Sequence, residues 1–127
     1  MAGKNKSIPV PTESQEQQAL FNWIRLSCGK YPQLEWAFHI PNEGKRSKSS
    51  GAKLKREGLA PGVSDICVPV ARGKYHALYI ELKRREGGRV SANQSRWIDG
   101  MIALGNFAKV CYGWDEARQT IEWYMNL

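Results

Sequence analysis

Two stretches of strand-forming residues, separated by one short turn, constrain the fold of this chain most. Val63 to Val70 and Tyr75 to Lys83 are rich in β-branched, aromatic and other apolar residues. Ala71-Arg72-Gly73-Lys74 lies between them and has the composition of a hairpin turn. We therefore predict an antiparallel hairpin in the middle of the chain.

The two strands of this hairpin carry an apolar face and a charged end. Side-chain alternation puts these residues on the apolar face: Ile66, Val68, Val70, Leu78, Ile80 and Leu82. Glu81 and Lys83 share the opposite face, and Asp65 points the same way from the first strand. A symmetric turn places Asp65 opposite Ile80 and beside Glu81. Three charged side chains are therefore expected to meet at one end of the hairpin.

Asp65, Glu81 and Lys83 together suggest metal-dependent phosphate chemistry. Two neighbouring carboxylates repel each other unless a cation lies between them, and their hard oxygens suit Mg²⁺ or Mn²⁺. A lysine beside such an ion can hold an attacking water or offset charge growing on a phosphorus atom. An Asp followed by Glu-x-Lys also occurs in ordinary surface salt bridges between strands, and the pattern alone favours that interpretation.

Helical patterns flank the hairpin. Thr12 and Gln15 form a capping box that begins a helix running to about Ser27, and Ser91 and Gln94 form a second box. A last helix is predicted to be capped by Asp115. The predicted buried stripes of the three helices are Leu20, Phe21, Trp23, Ile24 and Leu26, then Trp97, Ile98, Met101, Ile102 and Leu104, then Ala117, Ile121 and Tyr124.

Two further strands and a long loop complete the pattern. Glu35 to Ile40 and Phe107 to Tyr112 are strand candidates. Glu43 to Gly62 is a polar, basic loop that has room for a short helix around Ala52–Glu57. The order of elements predicts an α/β sandwich, with helices flanking a small mixed sheet. Residues 1–11 are interpreted as a flexible arm and residues 12–127 as one domain.

The charge of the chain favours a polyanionic partner. Its 19 Lys and Arg against 12 Asp and Glu give a net charge of +7, and nucleic acid is the first partner expected. Ten of the basic residues lie in two segments, and they are Lys45, Arg46, Lys48, Lys53, Lys55, Arg56, Lys83, Arg84, Arg85 and Arg89. The three cysteines are far apart and form no CxxC pair. We therefore expect no disulfide or zinc site, and a reducing, cytoplasmic setting.

Five segments, taken together, resemble one nuclease family. They are TESQEQQALFNWIR, HIPNEGKRS, the G-x-x-PGVSD turn, the IELK strand and SANQSRWI, in that order. The chain from about Thr12 to Tyr124 resembles the VRR-NUC family of PD-(D/E)xK nucleases, particularly its small stand-alone phage and bacterial members. The resemblance implies a restriction-endonuclease-like fold, dependence on a divalent metal, and endonuclease activity on branched or structured DNA. Some stand-alone members are homodimers that resolve four-way (Holliday) junctions.

The resemblance also implies roles for single residues. Asp65 matches the acidic residue of the PD half of the motif, Glu81 and Lys83 match its ExK half, and Glu13 matches the acidic residue of the first helix. Asp65 and Glu81 are then expected to hold the metal together with the Leu82 carbonyl. Lys83 is expected to position the nucleophilic water, and Glu13 to act through the waters of the metal or a second ion.

Several of these assignments have alternatives. Ser64 stands where the family has proline, a change that removes no side-chain chemistry. Glu16 competes with Glu13, since the helix dipole favours any carboxylate in a first turn. Gln94 matches the glutamine that follows ExK and is expected to contact the lysine or the DNA, but it is also a helix cap. His39 is interpreted as a structural histidine on a short strand.

The basic segments are expected to supply the nucleic-acid contacts, while Trp23 and Trp97 are interpreted as core residues on helical stripes. The contact candidates are Asn42, Lys45, Arg46, Lys53, Arg56, Arg84 and Arg85. The sequence thus predicts a Mg²⁺- or Mn²⁺-dependent endodeoxyribonuclease that acts as a homodimer on branched DNA, four-way junctions above all, in a bacterial or phage-infected cell. A non-catalytic basic DNA-binding module, a flap nuclease and an RNA nuclease are the alternatives.

Overall fold

The computed structural model of the chain describes residues 8–41 and 48–127 and is built around a four-stranded mixed sheet. The elements in chain order are α1 (Glu13–Leu26), a short 3-10 helix (Pro32–Trp36), β1 (Phe38–His39), α2 (Lys48–Arg56), β2 (Ile66–Val68), β3 (Leu78–Lys83), α3 (Ala92–Ala103), β4 (Phe107–Tyr112) and α4 (Trp114–Met125). The strand order is β1-β2-β3-β4, with β4 parallel to β3 and the other pairs antiparallel. The predicted small mixed sheet flanked by helices is confirmed.

Both predicted capping boxes are present. At α1 the Thr12 hydroxyl accepts a hydrogen bond from the Gln15 N–H, and the Gln15 side chain accepts one from the Thr12 N–H. Ser91 and Gln94 repeat this arrangement at α3. Each box satisfies backbone donors that the start of a helix otherwise leaves open. Local sequence therefore determines where these two helices begin.

The predicted Asp115 cap of α4 is wrong. Gly113 occupies the N-cap position with a φ of 89°, and its N–H donates to the Lys83 carbonyl at the end of β3, at 2.8 Å. Asp115 lies inside the first turn. The Trp114 N–H, one of the open donors of α4, instead donates to Glu16 Oε1 on α1 at 3.1 Å. The start of α4 is therefore fixed by a contact with a distant helix.

Helices cover both faces of the sheet. α1 and α4 pack on one face, where the buried core includes Leu20, Ile24, Ile66, Leu78, Ile80, Leu82, Ile121 and Tyr124. α3 covers the other face, because Trp97 packs nearly perpendicular to Tyr79 of β3 with ring centroids 5.1 Å apart, and Ile98 is buried. The charged side of β3 therefore lies between the sheet and α3 and is not a solvent-exposed face.

The predicted stripes are right except at the ends of two helices. Leu26, Ile102 and Leu104 are 81%, 52% and 67% exposed. Each lies in the last turn of α1 or α3 or directly after it, where the helix has fewer buried neighbours. All other residues of the predicted stripes are buried or half-buried.

Two segments before β2 differ from their predictions. The strand predicted from Glu35 to Ile40 is reduced to the two residues of β1, because a 3-10 helix extends to Trp36. Pro32, whose φ suits a first helical position, begins that helix, and the buried Leu34 anchors it. α2 begins earlier than the short helix considered around Ala52–Glu57.

The hairpin register differs by one residue from the symmetric arrangement. Ile66 of β2 pairs with Ile80 of β3, so Asp65 lies opposite Glu81 and not, as predicted, opposite Ile80. Two features set this register. Arg72 and Tyr75 pair across a turn tighter than the symmetric one, and Pro69, which has no N–H for the ladder, lies at the centre of a three-residue turn closed by a 2.8 Å hydrogen bond from the Val70 N–H to the Val68 carbonyl. This turn takes up one extra residue and brings the two carboxylates directly across from each other.

Three smaller predictions complete the comparison. The three cysteines are free, and two of them, Cys67 and Cys111, are buried. In the described ranges, no helix has both the length and the apolar character needed to cross a membrane. Most of the predicted arm lies outside the described residues, so the division into an arm and one domain stays a prediction.

Candidate active site

Asp65 is held from two sides where β2 begins. Its Oδ2 accepts a hydrogen bond from the Leu82 N–H of β3 at 2.9 Å. Its carbonyl accepts from the Ile40 N–H at 2.6 Å, and His39 Nδ1 lies 3.0 Å from the same oxygen. The Asp65 side chain itself is half-buried. The strand pairing therefore fixes this carboxylate beside β3, and His39 contacts backbone, as its structural interpretation predicts.

Glu81 and Lys83 form a buried pair on the same side of β3. The Lys83 ammonium lies 3.5 Å from Glu81 Oε2, and the two side chains are only 8% and 2% exposed. Gln94 Nε2 on α3 donates to the same Glu81 oxygen at 2.9 Å. A surface salt bridge, the alternative that the sequence pattern favours, would have both groups in water. The burial of both groups excludes that interpretation.

The second oxygen of Glu81 accepts no hydrogen bond from any described residue. Glu81 Oε1 is buried and accepts no hydrogen bond within the described part of the chain. Burial raises the pKa of Glu81 to about 8, the neighbouring Asp65 carboxylate adds to the rise through its charge and through a hydrogen bond to the protonated form of Glu81, and Lys83 opposes it. An unsatisfied buried carboxylate oxygen is costly. A cation between Glu81 and Asp65 would satisfy it and remove their mutual repulsion.

Two carboxylates and one carbonyl make up the donor set for such a cation. Because the Leu82 N–H points to Asp65, and N–H and C=O of one strand residue point to the same side, the Leu82 carbonyl faces this edge of β3. No group of three His, Cys, Asp or Glu side chains that could hold a metal comes together anywhere in residues 8–41 and 48–127, so the side chains of this donor set are the two carboxylates alone. Mg²⁺ prefers a coordination shell that contains few protein oxygens and is completed by water and a phosphate. The residues therefore fit the metal that the sequence implies.

Gln94 is both a helix cap and a site residue. Its Oε1 accepts from the Ser91 N–H at 2.9 Å, which leaves Nε2 to donate to Glu81. The turn before Asp65 is packed against this helix start, since a Cβ at Gly62 would lie 2.8 Å from the Gln94 backbone nitrogen and closer still to the Asn93 carbonyl. The start of α3 therefore positions Glu81 and packs against the turn at Gly62 that precedes Asp65. Gln94 contacts the glutamate and not the lysine, and the predicted contact of Gln94 with DNA stays a prediction.

Glu13 and Glu16 have different surroundings. Glu13 is exposed in the first turn of α1, whereas the Glu16 side chain is only 1% exposed. Glu16 accepts from Arg85 Nε at 2.8 Å and from Arg85 Nη2 at 3.0 Å, in addition to the Trp114 N–H. The Arg85 guanidinium and this backbone bond outweigh burial and lower the pKa of Glu16. Glu16 therefore ties α1 to α4 and to the segment after β3, while Glu13 faces solvent.

The Glu16–Arg85 pair is the contact that sequence reasoning missed. A signal existed: Glu16, Leu20 and Ile24 are spaced by four residues, so Glu16 continues the buried stripe of α1. A carboxylate on such a stripe requires a buried partner. Its partner lies 69 residues away, and nothing local identifies it.

The predicted nucleic-acid contacts are only partly described. Lys53 and Arg56 are exposed on α2. Arg84 is half-buried and its Nε has no partner in the described part of the chain, whereas Arg85 is engaged by Glu16. The other three candidates, Asn42, Lys45 and Arg46, lie outside the described residues.

Known proteins share this arrangement of elements. A family model described as the VRR-NUC domain matches residues 11–115, which include all the groups above. A solved structure described as a VRR_NUC domain protein is similar to this chain with a TM-score of 0.81 and 28% sequence identity, over 94% of this chain and 93% of that chain. No curated protein gives a significant match. The likeness agrees with the predicted restriction-endonuclease-like fold.

Proposed function

The chain belongs to the VRR-NUC family, whose domain is of nuclease type, and from this premise we propose that it is a metal-dependent, structure-specific endodeoxyribonuclease. In its reaction a water oxygen bonds to phosphorus, one P–O ester bond breaks, and the leaving oxygen takes up a proton. The proposed substrate is branched DNA, four-way (Holliday) junctions above all. The proposed metal is Mg²⁺ or Mn²⁺.

The unsatisfied oxygen of Glu81 is the observation that carries this proposal. A structural ion pair in a protein interior has its oxygens occupied by hydrogen bonds. Glu81 has Gln94 and Lys83 at Oε2 and, among the described residues, no donor at Oε1, and Asp65 lies opposite Glu81 on the neighbouring strand. That arrangement costs stability in the protein alone and suits a cation ligand.

The side chains of the site have different roles in the proposed reaction. Asp65, Glu81 and the Leu82 carbonyl would hold the ion, which when bound would polarise a phosphoryl oxygen and favour ionisation of water. Lys83 donates to the attacking water or to a phosphate oxygen from a position fixed by Glu81. Gln94 holds Glu81 through Oε2, which leaves Oε1 for the ion.

Charge and symmetry support the proposed partner and assembly. The net charge of +7 and the exposed Lys53 and Arg56 suit a DNA backbone. One chain offers one such centre among its described residues. Symmetric cutting of two strands needs two centres, and a homodimer supplies them.

A cleavage assay on a labelled four-way junction with Mg²⁺ tests the proposal. Asp65→Asn and Lys83→Ala remove one metal ligand and the positioning cation, so each is expected to lower the cleavage rate on the order of 100-fold or more. Asp99→Asn and Lys109→Ala are matched controls, because both residues are exposed and lie outside the site. The controls are expected to cleave like the wild type.

The outcomes of this assay separate the alternatives. Undiminished cleavage by Asp65→Asn or Lys83→Ala contradicts the mechanism. Metal-independent, salt-sensitive binding without cleavage identifies a non-catalytic DNA-binding module. A flap, a plain duplex and an RNA duplex, tested alongside the junction, show whether branched DNA is the preferred substrate.

A further inference from the structure

An open groove runs along α3 on the side facing the turn before β2. Its volume is about 440 Å³, within the range of roughly 300–1,000 Å³ typical of small-ligand sites. Asn93, Arg96, Trp97 and Gly100 line it from α3, and Pro61 lines it from the turn. The four α3 residues are spaced by three or four positions and so lie on one helix face. We call this feature the α3 groove.

The α3 groove adjoins the candidate active site. Asn93 in its wall precedes Gln94, which donates to Glu81. Pro61 in the opposite wall is followed by Gly62, which packs against the Asn93 carbonyl, and Asp65 lies three residues further on. A strand whose phosphate lies at Asp65 and Glu81 therefore has the groove as an immediate neighbour.

The lining of the groove suits a flat aromatic ligand attached to an anionic backbone. Trp97 is half-buried and fixed by its 5.1 Å perpendicular contact with Tyr79, so it is ordered before a ligand arrives. Arg96 is an exposed cation on the same face, and Asn93 carries an amide that can both donate and accept. A second groove, of about 260 Å³, shares Pro61 and is lined by Lys55 of α2.

We propose that the α3 groove binds an unpaired nucleobase of the DNA strand whose phosphate lies at Asp65 and Glu81, with the base stacked on Trp97. This rests on the proposed nuclease function and deepens it, because it makes an unpaired or readily unstacked nucleotide part of what the enzyme recognises. Base–aromatic stacking is tolerant of sequence. The groove would then select DNA structure and not a base sequence.

Charge argues for this occupant over a second copy of the chain. Arg96 lines the α3 groove and Lys55 lines the neighbouring groove that shares Pro61, and the chain carries +7 overall. A second copy docked here would bring like charges together, whereas the phosphates on either side of a base would meet opposite charge.

Gly100→Leu is the variant that tests the groove. A Cβ at Gly100 meets nothing within 4 Å, so leucine extends into open space, and it is a better helix former than glycine. Ala103→Leu is the matched control, because Ala103 is exposed on the same helix and does not line the groove. Both variants are expected to keep the thermal stability of the wild type or exceed it. Arg96→Ala, which changes an exposed side chain, is a second variant in case Gly100→Leu is destabilised.

The assay compares two DNA duplexes that differ in a single 2-aminopurine, paired in one and unpaired in the other, with Ca²⁺ in place of Mg²⁺ so that a cation is present while cleavage is suppressed. Wild type is expected to bind the unpaired probe more tightly and to quench its fluorescence by stacking. Gly100→Leu is expected to reduce that preference on the order of 10- to 100-fold with paired binding unchanged within about twofold. Ala103→Leu is expected to match the wild type.

Three results would overturn the proposal: no preference of the wild type for the unpaired probe, a folded Gly100→Leu that keeps the full preference, or a Gly100→Leu whose oligomeric state changes. Cleavage of both probes with Mg²⁺ is measured in parallel. Cleavage without base preference overturns the groove proposal alone. Base preference without cleavage overturns the nuclease function alone.

Discussion

Gly62→Ala tests how the turn before Asp65 and the start of α3 hold the site together. The backbone at Gly62 has a φ of +79°, and an added Cβ would lie 2.8 Å from Gln94 N and closer still to the Asn93 carbonyl. Restoring an ordinary contact of about 3.5 Å to Gln94 N requires a shift of about 0.7 Å. The same shift would lengthen the 2.9 Å bond from Gln94 to Glu81 to about 3.6 Å, which is no longer a hydrogen bond.

Two quantities follow from this displacement. The left-handed conformation alone costs an alanine about 1–2 kcal/mol, and the clash with backbone adds to it, so Gly62→Ala is expected to lose about 3 kcal/mol or more of unfolding free energy. A displacement of this size near reacting groups lowers a rate on the order of 100-fold. Urea unfolding and junction cleavage at saturating Mg²⁺ measure the two effects.

Gly58→Ala is the matched control for this substitution. Gly58 has a φ of +106° but nothing within 4 Å of an added Cβ, so it reports backbone strain without the clash. It is expected to lose about 1–2 kcal/mol and to cleave like the wild type once folded. Equal stabilities and equal cleavage rates for the two alanine variants would refute the reasoning.

Three further predictions concern single side chains. Because burial and the Asp65 carboxylate raise the pKa of Glu81 to about 8, a metal must displace its proton at neutral pH, so Mg²⁺ affinity measured by calorimetry is expected to rise about tenfold from pH 6 to pH 7 and to level off above pH 8. Glu16→Gln is expected to lose about 1.5–3 kcal/mol in urea unfolding at pH 7, because it removes the charge that Arg85 and the Trp114 N–H bind. Ser64→Ala is expected to gain about 1 kcal/mol in the same measurement, because it removes a buried hydroxyl without a partner.

Each of these predictions has its own control. Glu81→Gln is expected to abolish the proton release on Mg²⁺ binding, and an affinity that is flat from pH 6 to pH 8 contradicts the first prediction. Arg85 lowers the pKa of Glu16, so the Glu16 contribution is present above pH 4.5 and disappears as the pH falls through the lower folded value. Glu13→Gln, an exposed change, is expected to leave stability unchanged and to slow cleavage. A destabilised Ser64→Ala would show that the hydroxyl has a partner.

Local signals in the sequence account for much of the fold. The capping boxes at Thr12 and Ser91 depend on residues three positions apart, and both are present. The predicted limits of β4, Phe107 and Tyr112, are those observed. Alternation along β3 placed Glu81 and Lys83 on one face because the period of a strand does not depend on its partners.

The errors arise where a distant contact overrides a local pattern. Asp115 has the composition of a helix cap. The N–H of Trp114 at the start of α4 instead donates to Glu16, which lies 98 residues away in the sequence. The hairpin register depends on the turn at Pro69, and the extra residue in that turn cannot be recognised from the alternation of apolar and polar residues. Burial of the Glu81–Lys83 pair depends on α3 covering that face of the sheet, which alternation does not reveal.

Anomalous diffraction from crystals grown with Mn²⁺ tests the central claim most directly. We expect one manganese peak within coordination distance of both the Asp65 and Glu81 carboxylates and the Leu82 carbonyl. We also expect Glu81→Gln to weaken or remove that peak. Manganese bound at another group of residues, with none between Asp65 and Glu81, would contradict the claim.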